Sequence, residues 1–395
     1  MQLSKFFLFL LLLISHDGWS SQVNWHGALW LNDSISLPIR FYTNNDAAFF
    51  ICSTDTSPAT VEKTIDSTHF YFQNFDAHIS VLERNDSLIG FFYNNSRAKQ
   101  QSVPCWAKKG IPLLAPSQFH IGQFNGKWEA HFTDDSIMNS AVAILNQIDN
   151  KVTATFLTPT GDFRFIEGYV DGDQLYMWAF DASHLFVFTA ELQSSDTLIG
   201  NFYSGTNHQE KWRAIRNDQF KLVDEYALTQ LKSENTVISF SLPDTNGIKR
   251  SIMDSEYKGK PLVIQLMGTW CPNCLDEIKT INQLYDQYSN LGVKFIGIDF
   301  ERKNDFQYAK SSIIKLTKRL NIKYPILFGG LANKALVPSV VLGLENFVAF
   351  PTTIFIDASG AVMAIHSGFN GPATGDYHLS TVARFKTILN RLVNR

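Results

Sequence analysis

The pattern of hydrophobic and polar positions divides the chain into two regions. From residue 21 to residue 217, short runs of aromatic and β-branched residues alternate with polar residues, and Asn, Asp, Ser and Gly separate the runs. This pattern is typical of short β-strands joined by turns. The clearest predicted strands are Phe49–Ile51, His69–Phe72, Ile79–Leu82, Leu88–Phe92, Asp162–Phe165, Leu175–Trp178, Leu185–Phe188 and Leu198–Phe202. Asp171-Gly172 stands where a tight hairpin turn is expected. The sequence therefore predicts an all-β region of barrel or sandwich type.

The all-β region contains two copies of one pattern. The matching pairs of segments are 75–79 with 180–185, 86–94 with 196–204, and 105–108 with 211–214. A duplicated β-meander explains these matches. We therefore expect two β-rich modules, at residues 21–115 and 118–217, which form either two small barrels or two halves of one larger barrel or sandwich. His78 and His184 recur at matching positions, and we interpret both as structural hydrogen-bonding residues rather than ligands.

Beyond residue 236 the period changes, and apolar strands alternate with amphipathic helices. The mostly apolar run Leu262–Met267 lies between Pro261 and Gly268, which predicts a buried strand. After it, apolar residues recur at the spacing of one helix face: Leu275, Ile278, Ile281, Leu284 and Tyr285.

The remaining predicted elements complete an α/β domain over residues 236–395. They are strands 293–299, 353–357 and 361–365 and helices 305–320 and 378–393. Such an order predicts a mixed sheet with helices on both faces. Residues 218–235 are polar and predict a linker or a short connecting helix, and the apolar insertion at 329–349 stays unassigned.

The first 20 residues have the features of a signal peptide. Lys5 provides the positive charge, Phe6–Ile14 is an apolar run too short for a stable membrane anchor, and Gly18 and Ser20 place small residues at a cleavage site. The alternative is an uncleaved anchor. We expect cleavage after Ser20, no stable membrane span afterwards, and an exported protein, most naturally periplasmic.

Composition narrows the class of protein further. The chain has 395 residues, 45% of them hydrophobic, and a formal net charge of −3. That length suits two or three globular domains. No basic run indicates nucleic-acid binding.

Two of the four cysteines stand where the first C-terminal strand meets its helix. Cys271 is expected at the start of the helix, where free N–H groups and the helix dipole favour a thiolate, and Pro272 suits the first turn. Cys274 lies one turn further on, within reach of a disulfide. A zinc site needs about four ligands, and a bridge between residues this close stabilises little. The pattern therefore predicts a redox-active pair.

The same residues resemble a known family. The motif Gly268-Thr269-Trp270-Cys271-Pro272-Asn273-Cys274, followed by Phe350-Pro351-Thr352-Thr353 and by Asp357 and Gly360, resembles the thioredoxin fold. Together with Phe240-Ser241-Leu242-Pro243-Asp244 and Lys258-Gly259-Lys260-Pro261, it is similar to the exported TlpA/ResA-like thiol–disulfide oxidoreductases, many of which carry an extra N-terminal β-domain. The resemblance covers residues 236–395.

The resemblance implies a cis Phe350–Pro351 bond packed against the cysteine pair. It also implies a substrate groove formed by Trp270, Pro272, Phe350, Pro351, Gly368 and Phe369. Glycine at residue 368 permits close approach of another backbone.

A carboxylate near the cysteines is implied at Glu277, six residues after Cys271. It is either an acceptor for the Cys274 proton or a solvated helix residue. Gln265 occupies the position at which ordinary thioredoxins carry a buried acid, so any general base must come from elsewhere. Whether Glu301 approaches the site stays open, with an exposed residue at a strand end as the favoured interpretation. His366 and His378 receive no role.

The other two cysteines, Cys52 and Cys105, fall in the first β-module. In an oxidising compartment they favour a structural disulfide, which would close a long loop. The alternative is that Cys52 is a buried free thiol beside its apolar run.

The sequence thus predicts an exported reductase of protein disulfides that works through the Cys271–Cys274 pair. Its expected partners are a client protein and a membrane-linked electron donor, and no cofactor or metal is expected. Alternatives are a binding protein whose β-modules hold a ligand, with the C-terminal domain as a docking module, and a disulfide-donating oxidant. A thiol peroxidase is disfavoured because Gly268 and Ile264 replace the Thr or Ser and the Pro that peroxiredoxins carry.

Overall fold

Eight antiparallel strands near the N-terminus close into a barrel, which we call the first barrel. Each strand pairs with the next, and the first strand also pairs with the eighth. The strands are β1 (Val23–Trp30), β2 (Ser36–Asn44), β3 (Ala47–Cys52), β4 (Asp55–Lys63), β5 (Thr68–Phe72), β6 (Ala77–Arg84), β7 (Ser87–Asn94) and β8 (Gln101–Lys109). Alternate residues fill the interior, as Ala48, Phe50 and Cys52 do along β3.

A second sheet of nine antiparallel strands forms the second barrel. β10 pairs with both β9 and β11, so the eight long strands make a ring, and the short β12 is added to β11. The strands are β9 (Gly126–Phe132), β10 (Ser140–Ile148), β11 (Lys151–Thr158), β12 (Gly161–Asp162), β13 (Ile166–Asp171), β14 (Gln174–Phe180), β15 (Leu185–Ser194), β16 (Thr197–Ser204) and β17 (His208–Arg216).

One pair of matching segments, 86–94 and 196–204, occupies matching places in the two barrels, in β7 and β16. Gly90 in β7 and Gly200 in β16 each lie against the neighbouring strand: a Cβ would come within 2.0 Å of the Ser80 carbonyl oxygen in one case and 1.8 Å of the Thr189 carbonyl oxygen in the other. Both positions therefore require glycine. Of the two arrangements left open by the sequence, the structure has two small barrels.

One predicted strand in the second barrel is wrong, and one predicted turn is confirmed. Only Asp162 of the expected strand Asp162–Phe165 belongs to a strand, because Arg164 has a left-handed backbone (φ 57°) that ends the extended conformation. The turn at Asp171-Gly172 is present, with β13 ending at Asp171 and β14 beginning at Gln174.

The C-terminal domain is built on a five-stranded mixed sheet in the order β22-β21-β20-β23-β24, beside a small hairpin of β18 and β19. Its strands are β18 (Ser241–Pro243), β19 (Lys249–Ser251), β20 (Leu262–Met267), β21 (Lys294–Glu301), β22 (Ile326–Leu331), β23 (Thr352–Ile356) and β24 (Val362–Ser367). Its helices are α1 (Pro272–Tyr288), α2 (Phe306–Leu320), α3 (Val337–Val340) and α4 (Asp376–Val393).

The centre of this sheet is covered on both faces, as the sequence predicts. The central strand β20 runs parallel to β21 and antiparallel to β23. Every residue of β20 and β23 is buried, which requires packing against both faces. On one face, Phe385 of α4 packs on Phe355 of β23 at a ring distance of 5.2 Å.

Two features of the C-terminal half differ from the expected elements. Strand β22 and helix α3 lie in or beside the segment that the pattern left unassigned. No residue of the described stretch 218–234 is helical. That stretch is a linker bound to the C-terminal domain, where the Gln230 amide donates to Asn346 Oδ1 (2.8 Å) and the Lys232 amide to the Gly343 carbonyl (3.0 Å).

The barrels and the C-terminal domain are packed against one another. Phe180 of the second barrel inserts among Phe50, Phe72 and Phe92 of the first, with ring centroids 5.7–5.8 Å apart. The first barrel in turn reaches the C-terminal domain through Asp76, which accepts a hydrogen bond from Tyr308 Oη (3.0 Å).

The predicted Cys52–Cys105 disulfide is wrong, because both cysteines are buried free thiols. Cys52 ends β3, and its Sγ lies 3.4 Å from the Phe165 carbonyl oxygen of the second barrel. Cys105 lies in β8 between β7 and β1, so β1 and β2 stand between it and β3. Burial raises the pKa of both thiols, that of Cys105 to about 12.

The structure, a computed structural model, describes residues 22–96, 101–110, 122–133, 136–234 and 236–394. The predicted signal peptide lies outside these residues. Within them, none of the helices has the length and apolar character needed to span a bilayer.

Candidate active site

Cys271 and Cys274 form a disulfide at the start of α1, with their Cα atoms 5.2 Å apart. Cys271 is the N-cap residue, and its Sγ accepts a hydrogen bond from the Cys274 amide (3.2 Å). Pro272 occupies the first turn, as predicted. Free amides and the helix dipole at this end stabilise a thiolate on Cys271 when the disulfide is broken.

The Phe350–Pro351 peptide bond lies beside the disulfide and is cis, as the resemblance implied. Cys271 Sγ is 3.7 Å from the Phe350 carbonyl oxygen. The Gly368 amide donates to the Pro351 carbonyl (2.8 Å), so the loop after β24 borders the same place. Trp270 contacts the Phe350 ring edge-on at 5.9 Å. The predicted groove residues are therefore brought together.

Glu277 is fully buried, which excludes the alternative of a solvated helix residue. Its carboxylate oxygens accept hydrogen bonds from Gln265 Nε2 (2.7 Å) and Thr353 Oγ1 (2.9 Å). Burial raises the pKa of Glu277 to about 8, although these two hydrogen bonds act in the opposite direction. Glu277 stands three residues after Cys274, so the two side chains share one face of α1. Gln265 also accepts a hydrogen bond from Tyr324 Oη (3.3 Å).

A second buried acidic pair, Asp299 and Glu301, supports the segment before Cys271, and sequence reasoning missed it. Glu301 is fully buried, so the expectation of an exposed strand end is wrong. Thr269 donates its amide to Asp299 Oδ1 (3.1 Å) and its hydroxyl to Glu301. The second oxygen of each acid has no hydrogen-bond partner among the described residues.

Burial, reinforced by the neighbouring Glu301, raises the pKa of Asp299, and burial also raises the pKa of Glu301. The pair therefore favours a protonated state. The available sequence signal was the i, i+2 spacing of two acids at the carboxyl end of a buried strand, beside the cysteine motif.

The histidines have structural surroundings. The His366 ring lies between those of Tyr226 and Phe385, each at 4.9 Å, and His378 Nδ1 lies 2.9 Å from the Asn370 carbonyl oxygen. Among the residues that the structure describes, no three acidic, cysteine or histidine side chains form a metal-binding cluster.

The sequence of the region that carries this site is similar to those of known proteins. Residues 234–365 match the family model described as the AhpC/TSA family. The thiol–disulfide oxidoreductase ResA of Geobacillus kaustophilus is 28% identical over 148 residues, which are 38% of this chain and 76% of that protein. The C-terminal region is therefore similar to the ResA and DsbE thiol–disulfide oxidoreductases.

The comparisons also found a DsbE protein and a solved structure. The thiol:disulfide interchange protein DsbE of Vibrio cholerae is 32% identical over 138 residues, covering 34% of this chain and 64% of that protein. A solved structure of a thiol:disulfide interchange protein from Chlorobium tepidum is 24% identical, covers 41% of this chain and 97% of that chain, and gives a TM-score of 0.31. The family match begins at residue 234, after both barrels.

The groove around the disulfide of this ResA/DsbE-like domain is covered rather than open to solvent. Cys271 is 5% exposed and Cys274 is 0% exposed. The groove residues are buried too, Trp270 alone being partly exposed: Pro272, Phe350, Pro351, Gly368 and Phe369. Chemically, the site offers a disulfide for exchange with a thiol and a buried carboxyl group, Glu277, one helical turn after Cys274.

Proposed function

We propose that the protein is an exported reductase of protein disulfides that works through the Cys271–Cys274 pair. The observation that carries the proposal is the disulfide at the N-terminus of α1 beside cis-Pro351. A cysteine at this place is activated as a nucleophile, and its partner is close enough to resolve a mixed disulfide.

In the reduced enzyme, the Cys271 thiolate attacks one sulfur of a client disulfide. The client's other sulfur leaves as a thiolate, and a mixed disulfide with Cys271 forms. Cys274 then gives its proton to the Glu277 carboxylate and attacks Cys271 Sγ. The second client thiolate leaves, and the Cys271–Cys274 disulfide closes with its two electrons now in the client.

Donor thiols reduce the oxidised enzyme again, and the proton then moves in the opposite direction, from Glu277 to Cys274. With a pKa of about 8, Glu277 carries a proton at neutral pH in the disulfide form. A donor thiolate attacks Cys271 Sγ, and Cys274 leaves as a thiolate and takes the proton back from Glu277. A second donor thiol then releases Cys271 and leaves as the donor's disulfide. The buried carboxyl group thus serves both half-reactions.

Export rests on residues 1–20, whose pattern is that of a signal peptide, and on the similarity to ResA and DsbE. In an oxidising compartment a reductase needs a supplied electron source. A membrane-linked dithiol protein is the donor that this account requires, and a disulfide-bonded protein is the client.

The test is reduction of insulin disulfides by the chain without residues 1–20, with dithiothreitol as the electron source. Cys271→Ser abolishes the stimulated rate, because no nucleophile remains. Cys274→Ser accumulates a mixed disulfide with insulin, visible by mass spectrometry. The matched control is Cys52→Ser, which keeps the full rate because Cys52 lies in the first barrel. A Cys271→Ser variant with wild-type activity contradicts the proposal.

A further inference from the structure

Disulfide exchange requires open space in front of the attacked sulfur. The incoming thiolate must reach the sulfur along the S–S axis, and a protein donor must also lay its own chain beside it. Here the disulfide and nearly all of the groove around it are buried, as described above. A protein dithiol therefore cannot approach the oxidised pair in this arrangement.

The second barrel provides the cover, and its β11–β12 turn lies directly on the loop beside cis-Pro351. A Cβ on Gly368 would come within 2.7 Å of the Thr160 carbonyl carbon and 2.8 Å of the Gly161 amide nitrogen. The two backbones are thus in direct contact. The turn therefore fills the space directly in front of Gly368.

The cover also binds the middle of the cysteine motif. Asn273 Nδ2 donates to the carbonyl oxygen and to Oδ1 of Asp162, each at 2.9 Å. The same Oδ1 accepts from the Gly371 amide (2.8 Å), and Ser183 Oγ donates to the Trp270 carbonyl (3.3 Å). One acidic residue of the second barrel therefore holds both α1 and the loop that follows β24.

Arg164 fastens this cover through a buried ion cluster. Its guanidinium reaches α1, where Nε donates to Asp276 Oδ2 (2.8 Å). Another nitrogen, Nη1, donates to Asp181 Oδ2 (2.7 Å), and Nη2 lies 3.2 Å from Asp55 of the first barrel. Arg164 is 7% exposed and Asp276 only 2%. The cluster thus joins all three parts of the molecule two residues from Cys274.

The charges in this cluster depend on one another. Burial alone would raise the pKa of Asp276, but Arg164 and then Lys279 outweigh it and hold that pKa below its ordinary value. The pKa of Arg164 lies well above its ordinary value because three carboxylates overcome the effect of burial. Breaking a buried ion pair by removing one partner is strongly unfavourable, since the carboxylates would stay buried in the closed form without the cation that they share.

A small cleft remains beside the covered disulfide. It has a volume of about 200 Å³ and is lined by Trp270, Pro272 and Arg302 of the C-terminal domain and by residues of both barrels, among them Asn94 and His184. Two of its lining residues, Trp270 and Pro272, flank Cys271 in the sequence, while neither cysteine is itself among the lining residues. The cleft is large enough for a small thiol and far too small for a folded protein.

We propose that the second barrel is a releasable cover that excludes protein dithiols from the oxidised Cys271–Cys274 pair, and that Arg164 is the residue that holds it closed. Small thiols reach the pair through the cleft. A protein electron donor reaches it only when the barrel is displaced. This inference rests on the proposed function, and it makes the barrel a determinant of which donors the enzyme accepts.

The test compares two reductants of the oxidised full chain without residues 1–20: dithiothreitol and a reduced thioredoxin. Rate constants come from acid quenching followed by alkylation and mass spectrometry. The readout is the ratio of the thioredoxin rate to the dithiothreitol rate. Arg164→Met raises this ratio at least about tenfold, because the loss of a buried charge partner destabilises the closed form. The dithiothreitol rate itself should change less than about twofold, because a small thiol already reaches the pair while the barrel is in place.

The matched control is Arg40→Met. Arg40 pairs with Glu167 (2.6 Å) between the two barrels, its side chain is 44% exposed, and its hydrogen bonds go to Glu167 and Ser53. Its ratio should equal that of the wild type. If Arg164→Met fails to fold, Asp162→Ala provides the same readout, because it removes the hydrogen bonds to Asn273 and Gly371.

If Arg164→Met or Asp162→Ala folds and leaves the ratio unchanged, the proposal that the second barrel is a cover is wrong. If dithiothreitol reduces the pair neither in the wild type nor in any variant, the proposed function is wrong, and this inference fails with it. The two failures are therefore distinguishable in one experiment.

Discussion

At the scale of single residues, burial raises the pKa values of the acidic residues near the disulfide. Glu277 is held by Gln265 and Thr353 with no access to water, so its neutral form is favoured up to a pKa of about 8. A carboxyl group with a pKa near the working pH can both accept and return the proton of Cys274. Asp299 and Glu301 are buried in the same way beneath Thr269, where they position the segment that precedes Cys271.

Replacing Glu277 by Gln should slow resolution of the mixed disulfide at neutral pH. Gln cannot accept the Cys274 proton, and general acid–base groups typically contribute about 100-fold or more. Stopped-flow measurement of insulin reduction by the pre-reduced enzyme checks this. The matched control, Glu345→Gln, changes an exposed carboxylate and keeps the wild-type rate. Identical kinetics in the two variants remove Glu277 from the mechanism.

The same substitution changes how stability depends on pH. The pKa of Glu277 is about 8 in the folded oxidised protein and near its ordinary value of 4.5 when unfolded, so between these pH values the folded state holds the extra proton. The contribution of Glu277 to the free energy of unfolding is therefore largest below pH 4.5. It falls by about 1.4 kcal/mol per pH unit as the pH rises from 4.5 to about 8. Urea unfolding at several pH values should show that the free energy of unfolding of Glu277→Gln rises relative to that of the wild type by this amount per pH unit. A constant difference from pH 5 to 8 contradicts the raised pKa.

At the scale of elements, helix ends place the chemistry. Helix α1 begins at the cysteine motif with Pro272 in its first turn, and α2 begins at Asp305, whose side chain accepts from the Gln307 (2.8 Å) and Tyr308 (3.0 Å) amides. The second cap fixes α2 close to the point where Tyr308 meets Asp76 of the first barrel. Helix starts therefore orient both the active site and one interface between domains.

Asp305→Ala should lower the free energy of unfolding by about 1 kcal/mol, the usual cost of an N-cap acceptor. Asp305→Ser retains an acceptor and should lose less. Neither change should alter the rate of disulfide reduction by dithiothreitol, because the cap is remote from Cys271. Equal stabilities for the Ala and Ser variants exclude a capping role.

Most elements of the C-terminal domain could be predicted because their apolar residues repeat at clear helix or strand spacing. Strand β22 was missed because Gly329-Gly330 interrupts its apolar run, and a strand supported by its neighbours tolerates such residues. The cysteine pair was predictable from local pattern, and Pro351 from resemblance. Asp162 and Arg164 were not predictable as active-site neighbours, because their role depends on how the second barrel sits on α1, and the irregular backbone at Arg164 has no period.

At the scale of the whole molecule, the three parts form one assembly around the disulfide. Phe180 joins the two barrels, Arg164 ties both barrels to α1, and Asp162 lies on the cysteine motif. The barrels are therefore more than an appendage to a ResA/DsbE-like domain. They bury the disulfide and most of the groove around it.

The buried cluster should also matter for stability. Arg164→Met leaves Asp276 and Asp181 without their shared cation, so the free energy of unfolding should fall by about 3–5 kcal/mol. Arg40→Met removes a partly exposed pair and should cost about 0–1 kcal/mol. Urea unfolding of both variants checks the difference. Equal losses contradict the idea that the Arg164 cluster holds the assembly together.

The measurement that tests the account most directly is the reduction potential of the Cys271–Cys274 pair. The chain without residues 1–20 is equilibrated with dithiothreitol or glutathione buffers, and the reduced fraction is read by alkylation and mass spectrometry. A reductase that depends on a supplied donor predicts a potential of about −270 mV or lower. A potential near about −120 mV, typical of a protein that donates disulfides, contradicts it.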